Sequence, residues 1–238
     1  MVAGIILAVL CVLATAGFCY VRVTKGGIVA VIVKTVASFL FMATALVGLV
    51  TNAPTISSMF IVMGLLCGLI GDIVLDLKVV YKNDNDIWLN TGMGSFALGH
   101  IFYFVGLFTF VSNDINFIVS STPMYVPILI GVAIALVLSG GILVSTKLMK
   151  LDFGKFFYQS GGYTILLTTL SCISIMLAVF YSSVLWVFGL GAMAILISDL
   201  ILSLNYFGGK ADNKLLVILN HGIYYLGQIL LALFILVA

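Results

Sequence analysis

The chain contains no glutamate. Charge of either sign is scarce, with 10 Lys and Arg against 8 Asp, or 8 % of 238 residues. A soluble domain carries about 25 % charged residues, so this chain cannot cover a water-facing surface with polar groups. That excludes a soluble enzyme. A net charge of +2 is too small to point to nucleic acid. None of the four cysteines (Cys11, Cys19, Cys67, Cys172) forms a CxxC pair, and all lie in apolar runs, so disulfide and zinc readings are poor. There is no nucleotide loop, low-complexity tract or amphipathic targeting segment. Ala14-Thr15-Ala16 resembles a cleavage site. No positive charge precedes Arg22, however, so the first apolar run reads as a span rather than a signal peptide.

What is abundant is hydrocarbon. Hydrophobic residues make up 63 % of the chain, and mean hydropathy is +1.34. A spanning helix takes about 20 apolar residues, so the chain has room for at most about ten spans and none for a large soluble domain. Backbone groups must be satisfied internally in lipid, and long unbroken apolar runs select helices over a barrel. Eight runs are legible: Val2–Val21, Val29–Val50, Ser57–Val79, Gly92–Val111, Tyr125–Thr146, Tyr158–Tyr181, Val184–Tyr206 and Leu215–Ala238. The expected fold is therefore all-α, a single polytopic helix-bundle domain over residues 1–238.

The cations test that count. Arg22 and Lys25 fall in loop one, Lys78 and Lys82 in loop three, Lys147, Lys150 and Lys155 in loop five, and Lys210 and Lys214 in loop seven. Loops two, four and six carry none, and Lys34 lies inside a span. Basic short loops stay cytoplasmic, so both termini are expected on the non-cytoplasmic side. The host membrane would be the endoplasmic reticulum in a eukaryote and the inner or plasma membrane in a bacterium.

GDIVLDL in span three and SDLILSL in span seven each place an Asp before an apolar triplet. GHIFYFVG and NHGIYYLG share a His-x-x-Tyr-x-x-Gly spacing. The sequence thus suggests a parallel repeat of two four-helix halves, with Asp72 matched to Asp199 and His100 to His221.

Charged groups inside spans are costly and usually functional. Asp72, Asp76, His100, Asp199, Asn205, His221, Tyr224, Tyr225, Gln228 and Lys34 all fall in the expected cytoplasmic half, which argues for one blind pocket opening to the inner leaflet. Each residue has a plainer alternative. Lys34 could snorkel, and Asp76 could be interfacial. Asp72 and Asp199 could be structural pairs. The two His could bond between helices, the Tyr stripe could be packing, and Asn205 could mark a helix end.

GLIGDIVL (68–75), GMGSFALGHIFY (92–103), ISDLILSLNYF (197–207) and IYYLGQILLA (223–232) resemble the YhhN family of eight-span membrane proteins, which includes the lysoplasmalogenases. Lys34 fits that family's span-two lysine, although Thr35 follows it where the family has proline. Tyr163, with Met176, is similar to the span-six pattern, and the stretch 125–158 matches little. The resemblance implies hydrolysis of the vinyl ether of a lysoplasmalogen to a fatty aldehyde and glycerophosphoethanolamine or glycerophosphocholine. The implied partners are a lysophospholipid substrate and membrane lipid, with no cofactor and no metal; oligomeric state is not legible.

A vinyl ether yields to acid. Protonation at the β-carbon gives an oxocarbenium ion that water attacks. The reaction needs one protonated carboxyl and a second group that stabilises the cation and activates water, and paired carboxylates suit it. Asp72 and Asp199 are the candidate catalytic pair. Lys34, Asp76, His100, Tyr103, Tyr163, Asn205, His221, Tyr224, Tyr225 and Gln228 are the candidate substrate contacts, with Lys34 or His100 at the phosphate. No serine nucleophile elbow is present, and two His fall short of a three-His zinc site. The alternative function is a transporter or lipid-binding protein without turnover.

Overall fold

The computed structural model describes residues 1–81, 85–113, 122–181, 184–209 and 213–238. Lys82 and Lys210, two of the loop cations, lie outside the described residues. The helices are α1 (Val2–Thr24), α2 (Gly27–Thr51), α3 (Ile56–Val80), α4 (Asn85–Asn113), α5 (Tyr125–Leu148), α6 (Phe157–Phe180), α7 (Leu185–Phe207) and α8 (Lys214–Val237). A 3₁₀ turn, Gly154–Phe156, leads into α6. No strand occurs among the described residues, and eight helices are long and apolar enough to cross a membrane.

Fifteen of the sixteen sequence-read ends fall within three residues of the observed ones. The exception is the start of α4, seven residues earlier than its apolar run. Asp86 sits in that added first turn, where a carboxylate favours the helix dipole. Hydropathy marks where the hydrocarbon begins, and the helix continues past it.

Short connections have identifiable causes. Gly26 and Gly27 both take positive φ between α1 and α2, which favours glycine. Thr55 starts α3 with a reciprocal cap: its hydroxyl accepts from Ser58 N at 3.0 Å, and Ser58 Oγ accepts from Thr55 N at 2.9 Å. Hydroxyls inside the apolar helices mostly donate to carbonyls of their own helix, as Thr15 does to Cys11 and Thr168 to Thr164. These bonds satisfy them where no water is present.

The chain divides into two compact units. Unit 1 comprises residues 1–110 and 228–238, and unit 2 comprises 111–227. Phe18, Phe41, Ile61, Leu65, Leu107 and Phe234 are fully buried in unit 1. The last turn of α8 is held there by Asn52, whose Nδ2 donates to the Ile235 carbonyl at 3.0 Å and the Leu236 carbonyl at 2.8 Å. These are carbonyls that a helix end would otherwise leave unpaired. Leu167, Leu170, Leu177 and Phe188 form the buried centre of unit 2. Asp152 N donates to Phe207 O at 3.0 Å, and the Phe153 and Phe207 rings lie 4.4 Å apart, fastening the turn before α6 to the end of α7.

Candidate functional site

Unit 1 gathers four charged side chains near the end that carries the α1–α2 and α3–α4 connections. Asp72 and Asp76 are four residues apart on α3 and share a face. Both are almost wholly buried, at 2 % and 1 % exposure. Lys34 on α2 is 3 % exposed. Its Nζ lies 3.2 Å from Asp72 Oδ1, 3.3 Å from Asp76 Oδ1 and 3.5 Å from the Asp72 carbonyl. Those contacts match the three donors of an ammonium. Lys34, expected to snorkel or to meet a phosphate, bridges two carboxylates. Arg22 closes the set from α1, with Nη2 3.0 Å from Asp76 Oδ1. Ser38, one turn beyond Lys34, donates to Asp72 Oδ2 at 2.7 Å. Asp76, expected to touch substrate or lie at the interface, is a buried member of the same network.

On α4, His100 Nδ1 lies 2.6 Å from the Phe96 carbonyl. A carbonyl only accepts, so Nδ1 carries the proton. The His100 ring meets Tyr103 edge-on at 5.7 Å. Tyr103 is buried, and its hydroxyl donates to Gln228 Oε1 at 2.8 Å. Two of the expected substrate contacts therefore bond each other. Lys34, Asp72, Asp76, His100, Tyr103 and Gln228 all belong to unit 1.

Unit 2 holds the remainder. Tyr163 on α6 donates to Asp199 Oδ2 on α7 at 2.6 Å, and Ser198 donates to Asp199 Oδ1 at 3.3 Å. Asp199 is half-buried, unlike Asp72. Asn205, two turns further along α7, is 5 % exposed, and its Oδ1 is buried without a hydrogen-bond partner. It lies in the last turn of α7. On α8, Asn220 donates to the Ser198 carbonyl at 2.7 Å. His221 beside it is half-buried. Tyr224 and Tyr225 are buried and pack edge-on at 5.2 Å. Among the described residues, no group of three or more His, Cys, Asp or Glu is arranged to hold a metal ion.

A model of the YhhN family matches residues 29–235 of the 238. The chain belongs to the YhhN family. No match is found among curated proteins or among solved structures.

Much of the YhhN-like sequence in unit 1 is a packing seam. A Cβ on Gly64 would strike the Tyr103 ring, and one on Gly71 would strike the Phe96 ring. Gly99 rests on the Gly64 carbonyl, and Gly106 rests on Ile61 and the Ser57 carbonyl. Ser95 donates to the Cys67 carbonyl, and Ser57 to the Gly106 carbonyl, both at 2.7 Å. Small residues let two helices approach closely, so the spacing in GMGSFALGHIFY serves the α3–α4 contact.

The same seam tests the internal repeat. In the α7–α8 pair, Gly227 rests on Ile195 and the Gly191 carbonyl. That is the relation Gly106 has to Ile61 and Ser57. Measured from these contacts, Asp72 lies 11 residues past Ile61, and Asp199 lies four past Ile195. The difference is two helical turns, about 10 Å along a helix. By this contact the two aspartates do not hold equivalent positions in the α3–α4 and α7–α8 pairs. Matching them by sequence aligned the charges and misplaced the packing.

Two residues of the unit 1 network were not singled out from sequence. Ser38 is i+4 from Lys34 and shares its face. Arg22 counted as a loop cation, yet it is the last charge of span one at the same membrane face as Asp76. That shared end was the available signal. Arg22 also precedes the matched YhhN region.

Proposed function

We propose that this YhhN protein hydrolyses the vinyl ether of lysoplasmalogens, giving a fatty aldehyde and glycerophosphoethanolamine or glycerophosphocholine. The observation that carries the reading is family membership across residues 29–235. The carboxylates supply chemical support. Protonation of a vinyl ether carbon needs a general acid, and Asp199 is assigned as that donor. Its hydrogen-bond neighbours Tyr163 and Ser198 are neutral hydroxyls, which hold a carboxylate less strongly than the Lys34 ammonium holds Asp72. Asp72, between an ammonium and a serine hydroxyl, is assigned as the standing carboxylate that stabilises the oxocarbenium ion and takes the proton from water. Acid–base action of this kind typically contributes about 10²–10⁴-fold per group. Lys34 orients Asp72 in this reading. The candidate lysolipid contacts are His100, Tyr103 and Gln228 in unit 1 and Asn205, His221, Tyr224 and Tyr225 in unit 2, each unit taken by itself, and Asp76 acts through Lys34. The protein is multi-pass, with both termini assigned to the non-cytoplasmic side by its basic loops.

The test is aldehyde release from lysoplasmenyl-ethanolamine by purified protein in detergent, with Asp72→Asn and Asp199→Asn alongside. The reading predicts release from the parent and at least about a hundredfold loss in each variant at unchanged melting temperature. No release from folded protein, with bound lysolipid recovered by mass spectrometry, would replace the hydrolase with a lipid-binding protein.

A further inference from the structure

We propose that Arg22 is a positioning residue for Asp72, acting through Asp76 and Lys34. In its catalytic part this inference rests on the hydrolase reading above. The geometry is a shared ammonium. Lys34 Nζ lies 3.2 Å from Asp72 Oδ1 and 3.3 Å from Asp76 Oδ1, so two buried carboxylates compete for one cation. Arg22 Nη2 lies 3.0 Å from that same Asp76 oxygen. The guanidinium offsets Asp76 and leaves more of the ammonium for Asp72. Removing it strengthens the pull of Asp76 on Lys34 and weakens the ion pair at Asp72. In a medium of low polarity, small displacements of a charge change the interaction strongly.

The groups facing this network come from four helices. Arg22 and Cys11 stand on α1, Lys34 and Ser38 on α2, Asp72, Asp76 and Lys78 on α3, and Tyr103 on α4. Of these, Arg22 touches Asp76 from the end of its helix, with a side chain 14 % exposed against 1 % for the carboxylate. Arginine keeps its charge at every accessible pH. The effect of the guanidinium is therefore read in the titration of the neighbouring carboxylate.

The experiment compares the parent with Arg22→Gln and Arg22→Lys by two readouts. The first is an infrared pH titration of the carboxyl C=O band that Asp72→Asn abolishes. Loss of a nearby cation disfavours the charged form of a carboxylate. The band is therefore expected to appear at a pH higher by about one unit in Arg22→Gln and at the parent pH in Arg22→Lys. The second is the pH dependence of kcat for aldehyde release. The acidic limb moves upward in Arg22→Gln, kcat falls about tenfold with KM little changed, and Arg22→Lys restores both. A band and a limb that stay in place, whatever happens to yield or melting temperature, would reduce Arg22 to a structural residue and overturn the inference. Absence of release from the parent would overturn the hydrolase reading and the kinetic half of the inference with it. The infrared shift would then decide the coupling by itself.

Discussion

Replacing Lys34 with methionine isolates the energetics of the unit 1 network. Methionine keeps much of the volume and removes the charge. In the parent, Arg22 and Lys34 balance Asp72 and Asp76, and the last three are at most 3 % exposed. Without Lys34, Asp72 and Asp76 both lose the ammonium that bridges them. Breaking a buried pair on one side typically costs about 3–5 kcal/mol. Adding Asp72→Asn removes the excess charge, so the double variant should recover about 2 kcal/mol of that loss. The assay is reversible unfolding in mixed micelles by denaturing detergent, followed by circular dichroism, on the parent, both singles and the double. A Lys34→Met cost under about 1 kcal/mol, the range of an exposed pair, together with additive singles, would refute the buried network and restore a snorkelling lysine.

Three further outcomes follow from the same contacts. Gly64→Leu would drive a side chain into Tyr103 and should lower stability by about 1–3 kcal/mol or more, read by the same unfolding assay, whereas Gly94→Leu, with open space beside it, should be near neutral. Asn52→Leu removes both donors to the Ile235 and Leu236 carbonyls; it should cost about 1–3 kcal/mol and raise amide exchange over residues 228–238 but not over 185–207. Cysteine placed at Lys25, Lys150 or Lys214 should be labelled by an impermeant reagent from the cytoplasmic side, and cysteine at Ala53 from the other; labelling of both sets from one side would overturn the assigned topology.

The helices were legible because hydropathy and helix length are one constraint in a bilayer: the chain must cross about 30 Å of hydrocarbon. The start of α4 was misread because its first seven residues are helical yet mixed: Asn85, Asp86, Asn90 and Thr91 flank Ile87, Trp88 and Leu89 and break the apolar run. Polar residues could be assigned to a half of the membrane by counting along a span. Their partners could not, because rotation about the helix axis decides contact. Lys34 illustrates this, since depth allowed it to snorkel and rotation turned it onto Asp72 and Asp76. The Asp-to-Asp repeat failed for a related reason. Apolar segments align in many registers, whereas the glycine contacts of Gly106 and Gly227 admit one. Arg22 needed a contact across 54 residues of sequence, which no local pattern carries. Tyr163 was singled out by family resemblance rather than by spacing, and its bond to Asp199 became visible only in the fold.

The most direct test of the account is hydrolysis of lysoplasmenyl-ethanolamine in water enriched in ¹⁸O, with the aldehyde trapped as it forms and both products weighed. Protonation of the vinyl carbon followed by water attack breaks the bond between the vinyl carbon and the sn-1 oxygen. The account predicts label in the aldehyde and none in glycerophosphoethanolamine. Label in the glycerol product, or no aldehyde from protein shown to be folded, would contradict it.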